Sequence, residues 1–231
     1  MLSLAAKLAL SPLLAAQALY VMRTAQLLPE PEGPRSGTAG SGPKHRLLIL
    51  GDSSVAGVGA SHQSQALSGQ LPPLLVPHLA LEWQLIARTG ATSKSTLRTL
   101  ENLPEQRFDT AFVGLGVNDV TRLTSPSTWL KQQHALHALL HGKFGVKRIL
   151  RSGLPPMHRF PLLPQPLRYV LGRDAKRLDT LLAKLCAADS ALIHIPLNLP
   201  FEPRYVAADG YHPSEAAYAK WAQIIAQHLR P

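Results

Sequence analysis

Three short motifs carry side chains that could do chemistry together, and each directly follows an apolar run. Gly51-Asp52-Ser53-Ser54-Val55-Ala56-Gly57-Val58-Gly59 comes after Arg46-Leu47-Leu48-Ile49-Leu50 and reads as a sharp strand-to-loop turn with a hydroxyl at its apex. Its glycines let backbone N–H groups approach a ligand closely, although Gly-Asp-Ser is also an ordinary turn and helix start. No Gly-Lys-Ser/Thr follows, so this is not a P-loop, and the strict Gly-x-Gly-x-x-Gly of a dinucleotide site is absent. Further on, Gly114-Leu115-Gly116-Val117-Asn118-Asp119 puts a carboxamide and a carboxylate just past another apolar run. An Asn there can aim its NH2 at a developing oxyanion, while the plainer reading is a pair of turn formers before a helix capped by Ser125. Near the C-terminus, Asp209-Gly210-Tyr211-His212-Pro213 precedes an amphipathic stretch. An Asp three residues before a His can curl back onto the imidazole N–H, which fixes the tautomer and leaves the other nitrogen free to take a proton from a serine.

In the order Ser53, Asn118, Asp209, His212, these blocks resemble the SGNH hydrolase superfamily of GDSL-type esterases and lipases, whose motifs read Gly-Asp-Ser, Gly-x-Asn-Asp and Asp-x-x-His. The resemblance spans residues 46 to 229. It implies a flavodoxin-like fold and a serine esterase with Ser53 as nucleophile, His212 as base and Asp209 orienting it. In Arg88-Thr89-Gly90-Ala91-Thr92-Ser93, Gly90 stands where the family has a backbone oxyanion donor, so the implied oxyanion hole is the Ser53 N–H, the Gly90 N–H and the Asn118 amide. No metal or organic cofactor is implied. Ser54 departs from the pattern, since the GDSL name expects Leu after the nucleophile. An SGNH acyltransferase or carbohydrate deacetylase would use the same residues, and a catalytically idle binding module is the alternative from a different class. The Gly-x-Ser-x-Gly elbow of the other large esterase fold is missing.

Such side chains need a scaffold that brings loop ends together. Short apolar runs at 46–50, 81–87, 110–115, 147–151 and 191–195 alternate with longer amphipathic ones at 63–77, 93–102, 126–141, 167–188 and 213–229. This βαβ series predicts a three-layer α/β/α sandwich with five parallel strands. In such a sheet the ligand site lies beyond the carboxyl ends of the strands, where all three motifs fall.

The Pro-rich stretch 154–166 is too irregular for an element, and a long loop in this position often carries function. Its Met157, Phe160, Leu162 and Leu163 are candidates to line an acyl pocket, with Arg159 and Arg168 favouring an anionic or membrane-surface substrate. The formal charge is +10, but nine Lys/Arg against the single acid Asp174 crowd residues 143–177, an excess expected to give this stretch a local positive field that draws the enzyme to anionic surfaces. A local excess, aromatics at only 6% and no zinc-finger or RNP-like pattern argue against nucleic acid as a partner. His134, His137 and His141 share a helix face without a supporting carboxylate or thiol, a weak case for a metal. His194 reads as a strand-end histidine satisfied by hydrogen bonds, and the single cysteine, Cys186, as a buried helix thiol.

Residues 1–28 form an apolar leader whose Lys7, Pro12 and Gln17 sit awkwardly in lipid. A membrane anchor or membrane-surface helix, a cleaved signal directing the protein to the periplasm, and a helix packed on the domain all remain open, as does a cytoplasmic location. Residues 29–44, dense in Pro, Gly and Ser, read as a flexible linker, with the hydrolase domain at 45–231. The expected partner is a small-molecule or lipid ester.

Overall fold

The computed structural model describes residues 4–76, 78–200 and 202–229, with side chains from Leu10 onward. Met1–Ser3 of the expected leader, the last residue of the expected helix 63–77, and the final two residues of the expected domain lie outside them. In chain order the elements are α1 (Leu4–Thr24), β1 (Ser36–Ala39), β2 (Lys44–Gly51), α2 (Ser53–Ala56), α3 (Leu67–Gln70), α4 (Pro72–Leu75), β3 (Ala80–Ala87), α5 (Ser93–Asn102), β4 (Thr110–Gly114), α6 (Val117–Thr121), α7 (Pro126–Gly142), β5 (Arg148–Ser152), α8 (Leu167–Ala187), β6 (Leu192–Ile195) and α9 (Glu215–Leu229), with single 3-10 turns between some of them.

The strands form one six-stranded sheet in the order β1-β3-β2-β4-β5-β6. Five of them, β2 to β6, pair in parallel as expected. Because both faces of a parallel sheet are covered by helices, its strands are apolar on both sides. Leu48 and Leu50 of β2, with Val113 and Ile149, pack toward Trp129, Leu136, Leu178 and Leu182 of α7 and α8. Leu47 and Ile49, with Phe112 and Leu150, pack toward Leu67, Leu75, Tyr218, Trp221 and Ile225 of α3, α4 and α9. These are the three layers of the sandwich.

Three expectations are corrected. The linker expected at 29–44 is no free tether: Ser36–Ala39 pairs antiparallel with β3, from Ser36↔Gln84 to Ala39↔Leu81. Glu30 accepts from the Thr89 N–H at 2.6 Å and from its hydroxyl at 2.8 Å. Proline and glycine density misled here because β3 has an outer edge whose backbone groups need partners, and an edge strand tolerates such neighbours. The helix expected over 63–77 is broken into a 3-10 turn (Gln63–Gln65), α3 and α4. Pro72 starts α4 and has no N–H to continue the helix before it, and the Gln63 turn folds back so closely that a Cβ on Gly69 would sit 2.2 Å from the Gln63 carbonyl oxygen.

The third correction concerns the basic stretch 143–177, which is not one positive face. Arg151 is fully buried, Lys143 Nζ donates to the Leu100 and Glu101 carbonyls, and Arg148 donates to the His228 carbonyl. The leader helix α1 lies on the domain: Leu14, Ala18 and Val21 face the core, and the Gln17 amide donates to the Gln165 carbonyl (2.6 Å) and accepts from the Leu167 N–H (3.0 Å).

Candidate functional site

Sheet register sets the site. Gly51 at the end of β2 lies opposite Ala87 of β3 and Gly114 of β4, so the three loops leave the sheet at one level. Ser53, Gly90 and Asn118 follow within a few residues. The glycines are needed for close approach: a Cβ on Gly51 would come 2.3 Å from Val55, and one on Gly114 2.6 Å from the same side chain. With both bare, the one-turn helix α2 packs against the strand ends. Asp52 caps it, its Oδ1 accepting from the Ser54 N–H (3.0 Å) and hydroxyl (2.7 Å). Serine therefore fits after the nucleophile position by closing this cap. Ser53 begins the helix, and the first N–H groups of a helix have no intrahelical acceptor.

From the far end of the chain, Asp209 folds its own loop. Its Oδ1 accepts from the N–H groups of Tyr211 (2.9 Å) and His212 (3.0 Å), and its Oδ2 meets His212 Nδ1 at 2.5 Å. Burial alone would raise this carboxyl, but the bonds from the His212 ring, the His212 N–H and the Tyr211 N–H outweigh it and hold the pKa below the usual carboxylate value. The carboxylate fixes the proton on Nδ1, and Nε2 faces Ser53 Oγ at 2.9 Å. The Tyr211 ring lies edge-on to His212 at 5.2 Å and to Phe160 at 4.9 Å, wedging the imidazole in place.

Across from this chain, Asn118 Nδ2 donates to the Ala91 carbonyl at 3.0 Å, which ties the β4 loop to the Gly90 turn and aims the second amide hydrogen. Gly90 has φ +77°, a conformation that favours glycine. Ser53, Asp209 and His212 thus come together in direct hydrogen bonds, and the Gly90 turn and Asn118, on the first turn of α6, are joined by that amide.

Ser53 and His212 open onto a cleft. Its walls include Leu115, Val117, Leu154, Phe160, Leu197, Leu199, Tyr205 and Tyr211, and among the described residues Asp52 and His212 are the only Asp, Glu, His, Lys or Arg that line it. Of the four expected pocket residues only Phe160 is among the lining. Met157 and Leu163 belong to the core beneath the loop, and Leu162 is outside the lining, its N–H bound to the Gly210 carbonyl. Alternation along an irregular loop gives no inward face, so the sequence could not sort them. Arg159 and Arg168 do not line the cleft either. Leu115 and Val117 lie inside a motif already singled out, and Leu197 and Leu199 just past β6. The rule that ligands sit beyond strand ends could have found all four.

The remaining histidines have other duties. His137 meets Arg151 Nη1 at 2.9 Å, His141 Nδ1 meets the Val146 carbonyl at 2.6 Å, and His194 Nε2 meets Asp179 Oδ1 at 3.0 Å. Cys186 is buried on α8.

Fold and site together define a three-layer α/β/α enzyme that hydrolyses ester bonds. Residues 49–220 match the GDSL-like lipase/acylhydrolase family, and the chain belongs to it. Among solved structures, the one titled crystal structure of TesA is similar with a TM-score of 0.63 at 20% identity, covering 80% of this chain and 98% of that one. A lipolytic protein of the G-D-S-L family from Veillonella parvula gives 0.61 at 14% identity, covering 79% and 96%. Axe2, an acetylxylan esterase from Geobacillus stearothermophilus, gives 0.59 at 17% identity, covering 81% and 95%. At such identities the likeness concerns the fold. No curated protein matches the chain.

Proposed function

We propose that this protein is a serine esterase that cleaves carboxylic esters of apolar acyl chains through an acyl-enzyme. Ser53 Oγ attacks the ester carbonyl while His212 Nε2 takes its proton, and Asp209 stabilises the imidazolium that forms. The tetrahedral oxyanion is met by the Ser53 N–H, the Gly90 N–H and the Asn118 amide, aimed in advance of the reaction. The imidazolium returns its proton to the departing alcohol. A water, deprotonated by the same nitrogen, then attacks the acyl carbon and releases the acid and Ser53.

The observation that carries this reading is the unbroken chain from Asp209 through His212 to Ser53, 2.5 and 2.9 Å long in its two links, at the mouth of an apolar cleft. Apolar side chains beyond three strand ends, Leu115 and Val117, Leu154 and Phe160, and Leu197 and Leu199, line that cleft, which favours longer acyl chains over carbohydrate deacetylation. Its lining, free of lysine and arginine among the described residues, favours a neutral acyl group. Purified protein should be labelled by a fluorophosphonate at Ser53 and should hydrolyse p-nitrophenyl esters with a preference rising from acetyl toward medium chains. Absence of labelling and turnover would instead mean an idle binding module, and product that appears only with an added acceptor alcohol would mean an acyltransferase.

The leader supports contact with a lipid surface. No helix among the described residues is long and apolar enough to cross a membrane. Yet α1 is apolar on both sides: Leu14, Ala18 and Val21 face the core, while Tyr20 and Met22 are 64% and 78% exposed beside Leu13 and Leu19, where an ordinary surface helix is polar. Flotation with anionic vesicles should carry the full chain upward, and Tyr20→Ser/Met22→Ser should reduce this without changing turnover of a soluble ester. Equal flotation of both proteins would count against the leader as the lipid contact.

A further inference from the structure

Arg151, in the middle of β5, is fully buried, and no carboxylate lies within ion-pair range of it among the described residues. Its Nη2 donates to Gln133 Oε1 on α7 at 2.7 Å, its Nη1 meets His137 Nε2 at 2.9 Å, and its Nε has no hydrogen-bond partner among the described residues. Burial pushes its pKa down to about 10, so it keeps its charge at neutral pH. Burying a cation this way is costly unless its bonds accomplish something.

They lead to the oxyanion side. A guanidinium can only donate, so the Gln133 carbonyl must face Arg151 and its NH2 must face away. That NH2 donates to Ser93 Oγ at 2.8 Å. The Ser93 hydroxyl gives its one proton to Asp119 Oδ2 at 2.9 Å, and the Ser93 N–H sits 3.2 Å from both Asp119 oxygens. Every link therefore donates in the same sense, from cation to carboxylate, and such chains strengthen each bond by polarising the next. Ser93, Gln133, Arg151 and Asp119 are all essentially shut off from solvent. Asp119 is the neighbour of Asn118, and Ser93 ends the turn that carries Gly90 and Ala91, whose carbonyl holds the Asn118 amide.

We propose that the buried relay from Arg151 through Gln133 and Ser93 to Asp119 is the positioning device of the oxyanion hole, clamping the Asn118 turn to the Gly90 turn before substrate arrives. This rests on the esterase function proposed above. None of the four residues touches the reacting atoms. Their work is to fix two donors that arrive on different strands, which matters because donors are effective only when aimed at where the oxyanion forms.

The test measures kcat per active site, titrated to completion with a fluorophosphonate so that misfolded protein does not count. Asp119→Asn keeps the shape but removes the charge that terminates the chain. Gln133→Met removes both middle links at similar volume. Each should lower kcat by ~10- to 100-fold with KM within about twofold, since a misaimed donor weakens transition-state binding most. Ser93→Ala, which deletes only the hydroxyl, covers the case in which Gln133→Met fails to fold, and should fall in the same range. In an Asn118→Ala background, Asp119→Asn should lose the share of its effect that runs through the Asn118 amide and keep only the share that runs through the Gly90 N–H. Unchanged kcat per site in Asp119→Asn and Ser93→Ala, or a full additional loss in the Asn118→Ala background, would overturn the relay. A wild-type protein that neither labels nor turns over esters would overturn the function beneath it instead.

Discussion

Three hydrogen bonds within residues 209 to 212 fix the carboxylate against the imidazole, whereas the Asn118 and Gly90 segments are joined by side chains from positions 93, 118, 119, 133 and 151 and by the Ala91 carbonyl. The base side is a local device: one short loop supplies its own geometry, and its partner Ser53 needs only to arrive at the right level of the sheet. The oxyanion side is a device of the whole fold, assembled from α5, α7, β5 and the loops after β3 and β4. A local device is tolerant of changes elsewhere and fails when its own atoms are removed. A distributed one is exposed to changes far from the chemistry.

Breaking the base side should give the largest losses. His212→Ala should lower kcat by ~10,000-fold or more, and Asp209→Asn by about 1,000-fold or more, because Asn leaves the imidazole in the wrong tautomer. Steady-state kinetics on a soluble ester would check both, and an Asp209→Asn enzyme near wild-type rate would mean that the loop alone orients the ring. On the oxyanion side, Asn118→Ala should lower kcat by on the order of 100-fold with little change in KM. A pure KM effect would mean that Asn118 only binds substrate.

Phe160→Ala should act more weakly, by a few-fold on long acyl esters, since it widens the cleft and removes support from Tyr211 without touching the proton path. A series of p-nitrophenyl esters would read this as a shifted chain-length optimum, and a uniform loss across the series would instead implicate the His212 loop.

The smallest effect separates the two sides by what their titration controls. Burial, then the charge of Arg151, then His141 and His134, hold His137 down at about pH 3. A histidine so depressed stays neutral in the fold but charges near pH 6.5 when unfolded. Its contribution is therefore fully present above that pH and is lost as pH falls toward 3, by at most about 1.4 kcal/mol per pH unit. His137→Gln, which keeps an acceptor for Arg151, should flatten the fall in the urea midpoint between pH 7 and pH 4 while leaving neutral-pH kcat near normal. An unchanged slope would mean that other groups govern acid stability.

The contrast also explains what could be read from the amino acids. Asp209-x-x-His212 and Gly51-Asp52-Ser53 were legible because their chemistry is written in adjacent letters, and the five parallel strands because apolar runs alternate with helical ones. Arg151 was counted as a surface cation of a basic stretch, since nothing in Arg148-Ile149-Leu150-Arg151-Ser152 says which arginine turns inward. That is decided by a glutamine 18 positions earlier on α7. The cleft walls escaped for a similar reason: Leu197 and Leu199 gain meaning only once β6 ends beside β5. The segment before β2 was misread because its composition describes a tether while its partner, the edge of β3, lies more than 40 residues away.

That short antiparallel strand has a consequence for handling the protein. With β1 in place the ladder of β3 is occupied from Gln84 to Leu81; without it, backbone donors and acceptors along Ala80–Ala87 would face outward as a template for another chain. A truncation beginning at Lys44 would keep every residue of the proposed chemistry and still leave a sticky margin. Its failure mode would be oligomers growing strand to strand, visible as a rising light-scattering signal, rather than a loss of the active centre.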